Sequence, residues 1–301
     1  MSTPPADVVA PPQGGALSLA GFVNLVLGHW VVVAVATVLA AAAATALAFW
    51  MKPVYRAEVV LSPNEGQGSG GALAQVMGRM GSLGALAGLP FSTGSSSRNE
   101  SIAILKSRAL SENFIRTHDL LPQLYADDWS TEQGRWLTGH PPTLSGAVED
   151  FNQKVRYVFE DRRTGLVTLR IEWYEPEVAA AWANEFVAAA NEVARRRAIE
   201  EAERTLKYLY DELAKTSVVG VQEGIYSLIE SQINTIAVAN VQSEYALRVV
   251  DPAVASDPDR FVRPIRPLVI AFGALVGFSL GVLFVLVRRG PAPRREAGRG
   301  G

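Results

Sequence analysis

A run of twenty uncharged residues near the C-terminus, Leu268 to Val287, most strongly limits what this chain can form. As an α-helix rising ~1.5 Å per residue, it would match the ~30 Å hydrocarbon core of a bilayer, a length that helices in soluble cores seldom reach. A second uncharged run, Trp30 to Trp50, has tryptophan at both ends, where amphipathic rings prefer the headgroup level. Two membrane spans would put both termini on one side and residues 51–267 together on the other.

Arginine indicates which side is cytoplasmic. The short tail, residues 288–301, contains Arg288, Arg289, Arg294 and Arg295, and the positive-inside bias applies to such short segments. The tail is therefore predicted to be cytoplasmic. Residues 1–29, which contain several Pro and Gly and no Lys or Arg, are predicted to be a disordered cytoplasmic leader.

The first apolar run has one alternative interpretation, a cleaved signal peptide. Ala46-Leu47-Ala48 offers a small-residue cleavage site after the run. A signal peptide usually begins with a short basic segment, whereas no basic residue precedes this run. We therefore expect the run to be retained as a membrane helix.

Composition narrows the functional classes. The chain is 49% hydrophobic, carries a net charge of −2 and contains no cysteine. The charge does not favour nucleic acid as a partner, and the lack of cysteine excludes disulfides, thiolate metal sites and a cysteine nucleophile. No cofactor or metal site is predicted.

Between the spans, two-residue periodicity predicts strands that alternate with helical segments. The apolar positions of the first predicted strand are Tyr55, Ala57, Val59 and Leu61. A hairpin with one buried face follows, with Val155, Tyr157 and Phe159 in its first strand and Val167, Leu169, Ile171 and Trp173 in its second. The last predicted strand contains Tyr245, Leu247 and Val249. Ser101 to His118 is predicted to be one helix. Because the first and last strands both adjoin a span, we expect them to join the hairpin in one sheet.

A long helical hairpin is predicted over about 176–243. Pro176 suits the first helical position, and no further Pro or Gly occurs from Glu177 to Lys215. Gly220 and Gly224 are expected to bracket the turn into a second helix. The predicted fold is therefore a membrane-proximal α/β (α+β) base with a long protruding antiparallel helical hairpin, anchored by two transmembrane helices.

Several motifs favour structural over chemical roles. Gly66, Gly68, Gly70 and Gly71 lack the Lys-Ser/Thr pair of a nucleotide loop, so residues 64–97 are expected to form a flexible loop with a weak amphipathic helix. Asp127 and Asp128 lack the further ligands of a metal site, and His29, His118 and His140 are isolated. The cluster Arg195, Arg196 and Arg197 could bind an anionic sugar, but such clusters more often form a solvated helix face or pair with acids.

Small residues in the spans predict close helix packing. Gly273, Gly277 and Gly281 repeat at G-x-x-x-G spacing, and the first span has a matching alanine-rich surface that includes Ala36, Ala40, Ala43 and Ala44. This strip is expected to pack against the first span, a neighbouring subunit or a membrane partner. Before the second span, Pro258, Pro264 and Pro267 form a proline-rich approach.

This order of elements resembles the Wzz-type chain-length determinants, also called polysaccharide co-polymerases, from about Ser18 to Val287. The segments that carry the resemblance are PVYRAEVVLSP from Pro53, IAILKSRAL from Ile102, LLPQLYADDW from Leu120, GLVTLRIEWYEPEVAAAWANEFV from Gly165, and ANVQSEYALRVVDPA from Ala239. Two features depart from the family: basic residues are missing before the first span, and Ala255 and Ser256 stand where proline is commoner.

The resemblance implies a non-enzymatic, two-pass bacterial inner-membrane protein with a periplasmic domain. Such proteins form ring-like homo-oligomers and set the modal length of a surface polysaccharide, such as lipopolysaccharide O-antigen, made by a separate membrane polymerase. The growing polysaccharide is a further candidate partner. Some relatives continue into a cytoplasmic tyrosine kinase; the fourteen residues after Val287 contain no P-loop, so no fused kinase is expected.

Three functional classes follow. The first is an O-antigen length regulator, and the second is a co-polymerase for exopolysaccharide or capsule, working with a separate kinase. The third is a sensor or membrane-fusion adaptor with a coiled-coil hairpin. The third class fits less well, because a sensor needs an output domain and adaptors usually lack a second span.

Overall fold

The computed structural model describes residues 29–64, 93–137 and 139–288. The chain divides into two compact units, one formed by the two terminal regions (up to Pro53 and from Arg263) and one formed by Val54–Val262. In chain order the elements are α1 (Trp30–Trp50), β1 (Tyr55–Pro63), α2 (Thr93–Lys106), α3 (Arg108–Thr117), α4 (Leu121–Leu124), a 3₁₀ turn (Ala126–Asp128), β2 (Trp129–Ser130), β3 (Arg135–Trp136), α5 (Leu144–Asp150), a π-helical turn (Phe151–Val155), β4 (Arg156–Glu160), β5 (Val167–Trp173), α6 (Pro176–Leu213), α7 (Val219–Val241), β6 (Leu247–Asp251) and α8 (Arg266–Arg288).

The second unit is built on a four-stranded antiparallel sheet with the order β4-β5-β1-β6. This arrangement confirms that the first and last strands join the predicted hairpin in one sheet. In the centre, Val59 lies opposite Leu169, and both side chains are fully buried. The alternate positions carry cross-strand ion pairs, Arg56 with Glu172 and Arg170 with Glu58, so one face of β1 and β5 is apolar and the other is charged.

Helices cover the apolar face of the sheet. Phe114 of α3, Phe151 of the π-helical turn and Phe186 of α6 are fully buried, and their ring centroids lie 5.2–6.0 Å apart. Such tilted and edge-on aromatic contacts add to the burial of apolar area. Helix α6 therefore begins as a core helix of this unit.

One predicted helix is divided in the structure. The prediction of a single helix from Ser101 to His118 is wrong, because α2 ends at Lys106 and α3 starts at Arg108. The Oγ of Ser107 accepts a hydrogen bond from the Leu110 amide at 3.2 Å, which makes Ser107 an N-cap. The buried guanidinium of Arg156 donates to the Leu105 and Lys106 carbonyls at the end of α2, and burial lowers the pKa of Arg156 to about 10.

The turn between the two long helices also differs from its prediction. Gly220 and Gly224 lie inside the first turns of α7, and the chain reverses over residues 214–218 instead. The side-chain amide of Gln222 donates to the Thr216 carbonyl at 3.0 Å and ties the turn to the start of α7. Neither glycine has a positive φ, so neither provides the conformation that would mark a glycine turn.

Several smaller elements were not predicted. Residues 119–136 contain α4, the 3₁₀ turn and the β2–β3 pair, and residues 144–155 form α5 and the π-helical turn. The α5 helix begins at an N-cap, Thr143, whose Oγ1 accepts from the Gly146 amide at 3.2 Å. Val155 and Tyr245 precede β4 and β6 rather than belonging to them.

A hydrogen bond between Tyr125 and Asp150 links residues 119–136 to α5, and it predicts that stability depends on pH. The Tyr125 hydroxyl donates to Asp150 at 2.6 Å, and Lys154 pairs with the same carboxylate. Burial, together with this carboxylate, raises the pKa of Tyr125 from 10.0 to about 12, so its contribution to stability is complete below pH 10 and is lost as the pH rises through about 12.

Tyr125→Phe should therefore remove part of the stability loss between pH 10 and 12. The measurement is the difference in Tm between wild type and variant, by circular dichroism in detergent, at pH 9 and pH 11.5. Tyr226→Phe, at an exposed position of α7, is the matched control. A Tm difference that is the same at both pH values would contradict the expectation.

Candidate functional site

Helices α1 and α8 form an apolar pair. Their mean hydropathies are 2.4 and 2.6, and only 11% and 22% of their most apolar windows are buried, unlike the mostly buried core helix of a soluble protein. Both are long and apolar enough to cross a membrane by length and composition. Val33, Val282 and Val285 are buried between them.

The three glycines of the predicted strip all face α1. A Cβ atom placed on Gly277 would lie 2.5 Å from the Ala40 Cβ and 2.8 Å from the Ala36 carbonyl oxygen. At Gly273 it would collide with the Ala44 Cβ, and at Gly281 it would lie 3.0 Å from the Val33 Cα. The backbones thus approach each other too closely for larger residues, which is the packing geometry that small residues allow in membranes.

The remaining residues of the predicted site are the prolines that precede α8 and the arginines at its end. Pro267 lies in the first turn of α8, where the missing amide proton costs no helical hydrogen bond. The Pro258 carbonyl accepts from the Tyr55 hydroxyl at 3.1 Å within the second unit, whereas Pro264, after a cis peptide bond, belongs to the unit of α1 and α8. Arg288 ends α8 and is exposed.

Some predictions lie outside the described residues. These are the leader up to residue 28, most of the glycine-rich segment (residues 65–92), and the tail arginines Arg289, Arg294 and Arg295.

In the second unit, α6 and α7 pack against each other. Leu209 of α6 and Ile225 and Ile229 of α7 are buried together, close to the reversal of the chain. With 38 residues, α6 is about 57 Å long, far beyond an average helix. The two helices therefore share an apolar seam next to the turn.

The arginine cluster of α6 divides between different neighbours. Arg195 pairs with Glu192 at 2.7 Å on the same helix. Arg197 lines a cavity of about 60 Å³ that also borders Glu100, Glu201 and Tyr245. Burial, reinforced by these two carboxylates, raises the pKa of Tyr245. The cavity has room for a few water molecules.

Two asparagines of α6 hold the last strand, and sequence reasoning missed them. The side chain of Asn191, only 3% exposed, accepts from the Ala246 and Leu247 amides and donates to the Leu247 carbonyl at 2.8–2.9 Å. Seven residues earlier, Asn184 forms the same two-way pair with the amide and carbonyl of Ala253, both at 3.0 Å. The sequence feature that could have revealed them is the seven-residue spacing of two asparagines within the apolar, alanine-rich stripe of α6.

No catalytic constellation emerges from the described residues. His118 lies 3.6 Å from Glu185. Within residues 29–64, 93–137 and 139–288, no group of three or more His, Asp or Glu side chains could hold a metal ion. This geometry favours roles based on packing, because one unit contains a close pair of apolar helices and the other contains a sheet with two long helices.

Comparisons with known proteins identify the family. The model of Wzz, the chain length determinant protein, matches residues 15–118, and the model of GNVR, described as a "G-rich domain on putative tyrosine kinase", matches residues 212–290. A comparison with curated proteins found no match. Of solved structures, 47 chains match, among them a full-length bacterial polysaccharide co-polymerase at 11% identity, with a TM-score of 0.41, covering 91% of this chain and 97% of that one.

The two family models together match more than half of the chain, and they include α1, β1, α7, β6 and α8. The resemblance inferred from the sequence is thereby confirmed. The chain carries a Wzz chain length determinant domain and a GNVR domain.

Proposed function

We propose that this protein sets the modal chain length of a surface polysaccharide, lipopolysaccharide O-antigen, and does so without catalysing a reaction itself. The match of residues 15–118 to the chain length determinant model is the observation that carries this proposal. The polymer would be made by a separate membrane-embedded polymerase, whose growing product this protein would regulate.

The proposed topology is that of a two-pass inner-membrane protein. Both termini would be cytoplasmic, with the arginines from Arg288 onward holding the tail inside, and residues 51–267 would be periplasmic. The close packing of α1 against Gly273, Gly277 and Gly281 supports its retention as a membrane helix, since a cleaved segment would have no lasting partner. The sheet would then form the membrane-proximal base, because β1 begins five residues after α1 ends.

We further propose that the protein acts as a homo-oligomer, with α6 and α7 protruding as a helical hairpin between neighbouring subunits. Large side chains on these helices support this arrangement, since Tyr208, Tyr210 and Ile233 are each 50–64% exposed. Exposed aromatic residues of this kind are enriched in protein interfaces. A ring of such subunits could act on a polymerase through its placement next to the enzyme, without a chemical step of its own.

A specific observation also favours a second function. The GNVR model matches residues 212–290, and its description refers to a tyrosine kinase. The alternative is therefore a co-polymerase for exopolysaccharide or capsule that works with a separate kinase. The two functions differ in the polymer whose length depends on the protein.

The deciding experiment resolves lipopolysaccharide on a gel with and without this gene, in a host that lacks its own regulator and carries the cognate polymerase. We expect the random ladder of the host to become a clustered band of one modal length. An unchanged ladder would contradict O-antigen control. A change in the size distribution of secreted polysaccharide, measured on the same cultures, would instead support the exopolysaccharide function.

A further inference from the structure

The helix pair has an apolar groove at the end where α1 begins and α8 ends. Val32 and Ala36 of α1 and Gly281 of α8 line it, and Leu280, Leu283, Phe284 and Val287 complete its lining. These four side chains are between 55% and 73% exposed. The groove has a volume of about 500 Å³, within the ~300–1,000 Å³ range of small-ligand sites.

The groove arises from the size pattern of its residues. Gly281 has no side chain and Ala36 has a single methyl group, so the floor is low where the helices approach closely. Leu283 and Phe284 rise on the α8 side. A depression lined almost wholly by carbon suits a hydrocarbon chain, and it is much too small to enclose a second α-helix, which is ~10 Å or more across.

A positive charge lies at the end of this groove. Arg288 follows Val287, and it lies seven residues after Gly281 and four after Phe284, which puts it on the same face of α8. It is exposed, and within the part of the chain that the structure describes it is the last residue of α8. The sequence then continues with Arg289, Arg294, Arg295 and Arg299 against a single acidic residue.

We propose that this groove binds one anionic phospholipid, with an acyl chain along Gly281 and Ala36 and the headgroup phosphate on Arg288. The inference rests on the proposal that both helices cross the membrane. Basic residues next to a membrane helix attract anionic headgroups, at about a five-fold change in binding per Lys or Arg. The apolar groove holds the acyl chain and the arginine selects an anionic headgroup, so the site differs from a surface that is only apolar or only basic.

The test uses full-length protein in phosphatidylcholine vesicles that contain traces of spin-labelled phosphatidylglycerol or spin-labelled phosphatidylcholine. Electron paramagnetic resonance separates the lipid held on the protein from free lipid. We expect phosphatidylglycerol to be preferred over phosphatidylcholine, with a preference that falls about five-fold in Arg288→Gln and also falls at high salt. Arg288→Lys should retain most of the preference.

Matched variants separate the groove from the tail. Arg299→Gln removes the same charge farther along the chain and should leave the preference nearly intact. Leu283→Trp would fill the groove and should release about one phosphatidylglycerol per chain, whereas Leu275→Trp, at another exposed position of α8 that does not line the groove, should release none.

Equal losses in Arg288→Gln and Arg299→Gln would overturn the proposal in favour of a diffuse charge effect. Equal lipid counts in the two tryptophan variants would overturn the placement of the chain in the groove, and a crosslink from position 283 to another protein would assign the groove to a partner instead. Resistance of each variant to carbonate extraction tests the membrane anchoring separately, so a failure of anchoring is distinguishable from a failure of lipid binding.

Discussion

Gly277→Leu should separate α1 from α8 and, under the proposed function, abolish control of polymer length. A Cβ at this position would lie 2.5 Å from the Ala40 Cβ and 2.8 Å from the Ala36 carbonyl oxygen. One of these contacts is backbone, and the other is a methyl group with no rotamer that could move aside. Leucine adds three further carbon atoms, so the helices must part along the whole strip. The cost should reach about 3 kcal/mol or more, the upper part of the range for overpacked sites.

The separation can be measured as a distance. Because the chain has no cysteine, spin labels can be attached at Val31→Cys and Val287→Cys, two exposed positions near the same end of the helix pair. We expect Gly277→Leu to lengthen and broaden the distance distribution between the labels. Under the proposed O-antigen function, we also expect the lipopolysaccharide ladder to become random in the same strain.

Neighbouring substitutions provide the controls for this effect. Val276→Leu enlarges the adjacent, exposed residue and should leave both readouts unchanged. Gly277→Ala adds only the Cβ and should give an intermediate result. A distance distribution for Gly277→Leu that matches wild type would refute a packing role of the glycine strip.

Strands β1 and β5 were predictable from the sequence because their two faces have opposite chemistry. The face predicted for β4 is wrong, since Tyr157 and Phe159 lie opposite Arg170 and Thr168 and Phe159 is exposed. Ala57, Val59 and Leu61 face the helices, whereas Arg56 and Glu58 face away and form ion pairs across to β5. One-sided burial of this kind appears as a two-residue alternation, which is a local signal. The long α6 was predictable for a similar reason, since Pro176 marks its start and no other helix breaker occurs before its end.

The division between α2 and α3 depends on contacts that are distant in sequence. Arg156 donates to the carbonyls of Leu105 and Lys106, about fifty residues earlier in the chain. The apolar spacing of residues 101–118, taken alone, predicts one helix, because it contains no information about that distant guanidinium. The signal from Ser107 was also ambiguous, because serine occurs both in helices and as an N-cap.

In the helix pair, the small residues of the close approach could be recognised from their four-residue spacing. The groove beside them could not be recognised, because it depends on which side chains rise on either side of Gly281 and Ala36. The shape of the groove depends on how α1 and α8 are placed against each other.

Asn191→Leu should destabilise the second unit more than any surface substitution. Leucine has the same branched four-atom side-chain skeleton as asparagine, so the change removes the hydrogen bonds without shortening the side chain. It would leave the amides of Ala246 and Leu247 and the carbonyl of Leu247 without the side chain that now pairs with them. Ala246 and Leu247 are 8% and 1% exposed, so water cannot easily replace those partners.

Each buried backbone group left unpaired costs about 1–3 kcal/mol, and partial relaxation would leave a loss of roughly 3–6 kcal/mol. That is a large share of the ~5–15 kcal/mol that usually stabilises a domain. The measurements are urea unfolding of the full chain in detergent and amide exchange over β6, where we expect a lower midpoint and faster exchange.

Two other asparagines calibrate this result. Asn234→Leu, at an exposed position of α7, should change stability by less than about 0.5 kcal/mol. Asn184→Leu removes the two hydrogen bonds to Ala253 at a half-buried site and should give an intermediate loss. If Asn191→Leu and Asn234→Leu unfolded at the same urea concentration, with equal exchange rates over residues 246–251, then Asn191 would not hold the last strand. A graded series in the order Asn234, Asn184, Asn191 would instead identify hydrogen bonding from α6 as what fixes β6 in place.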